Sequence, residues 1–221
     1  MSGLPFDQGF PSSTSADLSA ACSNEYGAIL VRAARSADLP ELADVLAASF
    51  HSQDGILGWI YPLLRIGILE DLRTRFRSYS NHYVCLVAVE RSLDPENHGK
   101  HSATSTAGAL TKASLVGTVE MNMRHPHFWQ VMGTRQMYIS NLAVSKHHRR
   151  KKVAHQLLLT CERIALNQGF QDLYLHVLES NAPARRLYTK LGYQAKTVEW
   201  SPSAWILGQS QQLFLHKSLI P

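Results

Sequence analysis

The chain has 221 residues and carries 22 Lys+Arg against 17 Asp+Glu, a formal charge of +5. Five of those cations (Lys146, Arg149, Arg150, Lys151 and Lys152) fall in one run, KHHRRKK, and outside it the count balances at 17 to 17, which argues against the spread basic face of a nucleic-acid coat. With 45% hydrophobic and 18% charged residues the composition is globular, not disordered, and no stretch approaches the ~18 apolar residues of a membrane span.

Length suits a single domain with a tail. Residues 1–26 are rich in Ser, Ala, Gly and Pro and read as a flexible N-terminal tail, leaving 27–221 as the folded domain. The first residues hold no basic stretch before an apolar core, and no Arg precedes Arg32, so no targeting signal is expected. Cys22, Cys85 and Cys161 are odd in number and widely spaced. They read as buried fillers in a reducing, cytoplasmic setting.

Ala28 to Arg32 can open a sheet. Asp38-Leu39-Pro40-Glu41 offers a helix cap, a first-turn proline and a capping-box Glu, followed by Leu42, Val45, Leu46 and Phe50 at helical spacing. A second helix is expected over Pro62–Ser80, with Leu63, Leu64, Ile68, Leu72 and Phe76 as its apolar positions. Tyr83–Val89 has strand length and apolar content. Residues 91–114 then read as a long inserted loop, an enlarged hairpin connection. Leu115–Met123 and Gln136–Val144 resume strand character.

Val153–Ala165 is the clearest helix, with Val153, Ala154, Leu157, Leu158, Cys161, Ile164 and Ala165 on one face and a stop at Asn167-Gln168-Gly169. The strand Leu173–Val177 puts Leu173, Leu175 and Val177 on one face and Tyr174 and His176 on the other. Asn181 caps a further helix whose stripe is Leu187, Tyr188 and Leu191 and which Gly192 ends. Strands near Tyr193–Trp200 and Gln212–Lys217 close the chain. This alternation defines an α/β (α+β) domain on one mixed sheet. The eleven His form no HxH, HExxH or Cys/His cluster, so no metal site is expected.

The informative order is strand 136–144, basic turn 146–152, helix 153–165. A helix N-terminus presents unpaired N–H groups and a positive dipole end. Cations gathered there work against the helix itself, and a bound phosphate or pyrophosphate explains them. A solvated basic loop and a nucleic-acid signal are the other readings of the run taken alone.

Two blocks decide between them. YISNLAVSKHHRRKKVAHQLL, followed by LYLHVLESNAPARRLYTKLGYQ, resembles the GCN5-related N-acetyltransferase (GNAT) superfamily, nearest in look to its cyanobacterial and plastid branch and to protein N-terminal acetyltransferases. The first block matches Q/R-x-x-G-x-G/A with Arg149 first and Ala154 last; the second matches N-x-x-A-x-x-x-Y and L-G-Y/F. The resemblance covers Gln136–Gln194 strongly and Ile29–Met123 more weakly. It implies a mostly antiparallel mixed sheet of about seven strands, splayed between the fourth and fifth, flanked by helices.

It also implies acetyl-CoA as cosubstrate and direct acetyl transfer to a primary amine. The acceptor is a protein α-amine or lysine ε-amine; a small arylalkylamine or polyamine, or a non-catalytic acyl-CoA-binding role, are the alternatives. No nucleic acid or membrane partner is implied, and the state is monomer or homodimer. Backbone groups of Leu142, Ala143 and Val144 would hold the pantetheine arm and thioester. Arg149, Arg150, Lys151, Lys152, Val153 and Ala154 would hold the pyrophosphate, with Asn181 and Tyr188 also on the cofactor side. Tyr188 aligns with the family's proton donor to the thiolate. His176, paired with Tyr138, aligns with the base of one branch, and Glu120 is a fallback base. The acceptor groove would lie around Ser52–Tyr61 and Trp200–Gln211.

One position departs from the pattern: the family's glycine falls on Lys152. A lysine at φ > 0 costs about 1–2 kcal/mol, so ordinary helical geometry is expected there, with Lys152 adding charge near the phosphates.

Overall fold

The computed structural model describes residues 20–24, 27–50, 61–77, 83–91, 113–124, 136–199 and 211–220. Residues 1–19 of the expected tail, 92–112 of the expected insert, and the acceptor segments 51–60 and 200–210 lie outside the described residues.

Strands β1 (Ala20–Asn24), β2 (Gly27–Ala33), β3 (Val84–Arg91), β4 (Ala113–Arg124), β5 (Gln136–Val144), β6 (Asp172–Leu178), β7 (Gln194–Glu199) and β8 (Gln212–Ser218) form one sheet in the order β1-β2-β3-β4-β5-β6-β8-β7. Only β5 and β6 pair in parallel. The sheet has one strand more than the seven expected, because Ala20–Asn24 pairs with β2 instead of belonging to a tail. Ala-Ala-Cys-Ser-Asn has no branched or alternating pattern to announce a strand; backbone pairing along the edge of β2 supplies what the side chains do not. Strands β3 and β4, which flank the expected insert, are adjacent and antiparallel.

Helices α1 (Leu39–Phe50) and α2 (Tyr61–Arg77) cover one face of the sheet, and α3 (Val153–Asn167) and α4 (Ala182–Lys190) the other. The near-continuous apolar run of β3 follows from this sandwiching. Cys85, Val87 and Val89 pack with Leu42, Leu46 and Leu72 on the α1/α2 face, while Leu86 and Ala88 join the α3 layer. Helix α3 buries Val153, Leu157, Leu158, Cys161, Ile164 and Ala165, the predicted face except for half-buried Ala154. Helix α2 departs from its predicted stripe: Leu72 is buried and Ile68, Leu69 and Phe76 pack against the core, whereas Leu63 is 64% exposed.

Glu41 does not close the capping box anticipated for α1. Its Oε1 accepts from the Leu115 backbone N–H at 3.0 Å and ties α1 to the start of β4. Asp38 instead accepts from Arg35 N–H at 2.6 Å and pairs with Arg32, which lowers its pKa.

Several acids are buried neutral. Burial pushes up the phenols of Tyr83, Tyr188 and Tyr193 and the thiol of Cys161, and takes the Cys85 thiol to about 12. Above their unfolded pKa values, near ~8.5 for thiols and ~10 for phenols, the unfolded chain has lost protons that the folded chain keeps. Stability is therefore fully present below about pH 8.5 and falls as pH rises, by about 1.4 kcal/mol per pH unit for each group once it titrates in the unfolded chain. Denaturation midpoints should be flat from these groups at pH 7–8 and drop steeply beyond pH 10. Tyr193→Phe should shallow the drop; a profile unchanged by that substitution would contradict this account.

Candidate active site

The site begins with a misfit between β4 and β5. Glu120 pairs with Ser140, but the next pair is Thr118 with Ala143, so β5 spends one extra residue across the step. Asn141 takes up the excess with φ of 51°, a conformation that Asn tolerates better than most residues. Pairing of β5 with β6 stops at Ile139–Leu175. Beyond it the two parallel strands separate, and no described β6 residue pairs with Leu142, Ala143 or Val144. This is the splay expected between the fourth and fifth of the seven predicted strands.

The basic turn follows at once. Ser145 N–H donates to Val116 O at 2.9 Å, Lys146–His148 make one 3-10 turn, and Arg149 is extended. Arg150 and Lys152 then adopt φ of 67° and 62°. The first helical bond of α3 runs from Gln156 N–H to Lys152 O at 3.0 Å. By helix geometry, the N–H groups of Val153, Ala154 and His155 have no intrahelical partner, and the Lys152 side chain makes no cap bond. Left-handed residues alternating with right-handed or extended ones curve a backbone so that its N–H groups converge on an anion. Gly117 lets the helix start press this close: a Cβ there would stand 3.0 Å from Val153 Cγ1 and 3.1 Å from Ala143 O.

The expectation of ordinary helical geometry at Lys152 is therefore corrected. Lys152 sits in the left-handed region that glycine enters without penalty, at a cost of about 1–2 kcal/mol. Lys152→Gly should remove that cost, less up to ~1 kcal/mol of added chain entropy. A net gain of about 0.5–1 kcal/mol, or roughly 1–4 °C in melting temperature, is expected. Coenzyme A affinity should fall a few-fold at low salt through the lost charge, with the difference fading at high salt. A lower melting temperature for Lys152→Gly would refute the assigned strain.

Among the cations, Lys146, Arg149, Arg150 and Lys152 are exposed and Lys151 is half-buried. Arg149 Nε donates to Val144 O at 3.3 Å. His148 is not solvated with the rest of the run: its Nε2 lies 3.0 Å from Glu90 Oε2 and the residue is half-buried. A cleft of about 300 Å³ separates the turn from α1, lined by Lys146, His147 and Arg149 on one side and Val45 and Ala48 on the other. The two carboxylates at its wall are engaged, Glu41 with Leu115 N–H and Asp44 with Arg65.

At the mouth of the splay, the Tyr138 hydroxyl lies 2.6 Å from His176 Nδ1. His176 is the first β6 residue past the last paired position, and Phe214 of β8 packs against its ring at 4.8 Å. Both residues lie on the α1/α2 face. Tyr188 enters from the opposite layer, 6% exposed and edge-on to Tyr193 at 5.7 Å. Burial pushes the Tyr188 phenol up, and Tyr138 adds to the push, so the two hydroxyls are within electrostatic reach across the gap. Asn181 Oδ1 accepts from Ala184 N–H at 3.2 Å and caps α4.

Glu120, the fallback base, is 1% exposed. Its two oxygens are held by Asn141 Nδ2 at 2.9 Å and by Arg75 Nη1 of α2 at 2.7 Å. Sequence reading also missed the pair of Asp172 with His216 Nε2 at 2.6 Å, beside Tyr174. Among the described residues no group of three His, Cys, Asp or Glu side chains is placed to hold a metal ion. No described helix is long and apolar enough to cross a membrane.

A splayed parallel pair, a helix start carrying the basic turn, and the Tyr138–His176 pair make up the candidate site. The sequence profile of the Acetyltransferase (GNAT) family matches residues 68–193, and the chain belongs to that family, whose members use acetyl-CoA. It is 34% identical over 181 residues to GCN5-related N-acetyltransferase 10, chloroplastic, of Arabidopsis thaliana, a match covering 78% of this chain and 64% of the relative. Two further chloroplastic relatives are matched over 46% and 61% of their lengths, so the chain spans about half to two thirds of these relatives. In fold it is similar to the PaiA N-acetyltransferase of Thermoplasma acidophilum in complex with coenzyme A, with a TM-score of 0.58, 20% identity and 86% and 98% of the two chains covered. The NatC complex bound to Gag peptide and coenzyme A gives a TM-score of 0.57 at 13% identity, with 86% and 98% covered.

Proposed function

We propose that this chain moves the acetyl group of acetyl-CoA directly onto a primary amine of a polypeptide, and that the preferred acceptor is an N-terminal α-amine. The supporting observation is the Tyr138–His176 pair at 2.6 Å on one side of the splay, with Tyr188 buried on the other. One side can accept a proton and the other can give one.

The amine must arrive without its extra proton. With Nδ1–H donating to Tyr138 Oη, the His176 tautomer presents a lone pair at Nε2 to take that proton, directly or through a water. The amine nitrogen then bonds to the thioester carbonyl carbon, whose oxygen gains charge and is met by backbone N–H groups of the Leu142–Val144 segment. As the C–S bond breaks, the thiolate takes the Tyr188 proton, and the new amide nitrogen gives up its second proton, which returns to Tyr188 through solvent. The basic turn supplies N–H groups and cations for the cosubstrate's phosphates, which is the partner we assign to it in place of nucleic acid.

The α-amine is favoured over a lysine on acidity. A free α-amine titrates near ~7.7–8.0 and a lysine near ~10.4. At neutral pH the unprotonated fraction of the first is therefore about a few hundred-fold larger, and it asks less of a base. We also keep the cytoplasmic assignment, supported by Cys85 and Cys161 being buried free thiols.

Thiol release from acetyl-CoA should be measured with peptides bearing free or blocked N-termini, with and without lysine, beside spermidine and arylalkylamines. Turnover that needs the free N-terminus is expected. Turnover of small amines alone would select the runner-up, and none with any acceptor would leave a coenzyme-A-binding module.

A further inference from the structure

The buried carboxylate of Glu120 has no part in the chemistry above, yet both its oxygens are committed. Oε1 accepts from Asn141 Nδ2 and Oε2 pairs with Nη1 of Arg75, whose Nη2 pairs with Asp71 one turn earlier in α2. Tyr83 stands close enough for Glu120 to help push its phenol up. Asn141 is the residue that absorbs the β5 excess at φ of 51°, and the bulge it makes turns Leu142–Val144 away from β6. A buried charge held by one donor on α2 and one on the bulge fixes the distance between them, because a stretch in either contact leaves the carboxylate under-paired.

We propose that Glu120 is a positioning residue for acetyl-CoA: it pins the Asn141 bulge, and so holds the splay open in the shape that the cosubstrate's arm requires. The effect reaches the cosubstrate through Asn141, so it should appear in cosubstrate affinity and not in the acid–base steps. Glu120→Gln keeps an acceptor for Asn141 but turns an amide toward Arg75, and releases α2 from the bulge. Asn141→Gly keeps the backbone conformation without strain and removes the contact that Glu120 acts through.

Coenzyme A binding by calorimetry, with acetyl-CoA KM and kcat beside it, gives the test. Glu120→Gln should weaken coenzyme A binding and raise acetyl-CoA KM about 10-fold, with kcat at saturation within about threefold of the parent. Asn141→Gly should weaken binding about threefold. In the Asn141→Gly background, adding Glu120→Gln should change binding by less than about twofold, because the two side chains act as one unit. If Glu120→Gln does not fold, Glu120→Asp takes its place in the cycle: it keeps a charge for Arg75 but is too short to reach Asn141. Equal losses in both backgrounds, unchanged binding, or a loss confined to kcat would each overturn the proposal. The inference rests on acetyl-CoA as cosubstrate; since coenzyme A binding needs no acceptor, its failure would leave the acceptor assignment standing.

Discussion

Tyr188→Phe is expected to lower kcat by about 10²–10³-fold while leaving acetyl-CoA KM within about twofold. The ring is buried and packs edge-on to Tyr193, and phenylalanine preserves that packing. What is lost is a proton held tightly: burial, with Tyr138 and Cys161 adding to it, raises the phenol above its ordinary value. A phenol so placed stays protonated through neutral pH, and in the mechanism proposed above it is the donor to the departing thiolate. Thioesters of more acidic thiols need that proton less, so the deficit should shrink with them. Thiol release at saturating substrates measures both effects. A purely structural Tyr188 would show the opposite signature, a lower melting temperature with kcat intact.

The parts of the fold that were readable in sequence are those where side-chain periodicity and burial coincide. Helix α3 is two-faced because it lies flat on the sheet, so its apolar stripe names its buried residues. Strand β6 reads correctly because Leu173, Leu175 and Val177 pack under α3 and α4 while Tyr174 and His176 face the other way. The elements that misled are those set by backbone or by pairing between distant residues. Strand β1 is held by ladder bonds that its side chains do not advertise.

The same division runs through the site. The basic run and its flanking strand and helix could be read from residue types, whereas the left-handed conformations of Arg150 and Lys152 could not. Neither residue type signals φ > 0, and backbone geometry of this kind leaves no mark in side-chain periodicity. The burial of Glu120 could not be read either, because its partners lie 45 and 21 residues away. The clue available beforehand was Asn141, a residue type enriched at left-handed positions, inside a predicted strand.

Replacing His176 should separate a base from a packed aromatic. His176→Gln is expected to lower kcat/KM about 10²-fold and to remove the histidine's share of the activity loss at acid pH. The sign follows from the role: a base works unprotonated, so parent activity must fall as pH drops and the imidazole gains its proton. In the variant only the acceptor amine's own titration, near ~7.7–8.0 for an α-amine, should shape that limb. Tyr138→Phe should cost about 10-fold, because it removes the hydroxyl 2.6 Å from Nδ1 that orients the ring and selects the tautomer. Groups that work as one unit are not additive, so Tyr138→Phe/His176→Gln should be no slower than His176→Gln alone. Packing alone gives a different pattern. Phe214 stacks beside His176 at 4.8 Å, and a structural histidine would lose melting temperature on substitution while its acid limb stayed where it was. Loss of rate with the limb unmoved would return the proton-accepting role to another group, and Glu120, tied to Arg75 and Asn141, is poorly free to take it.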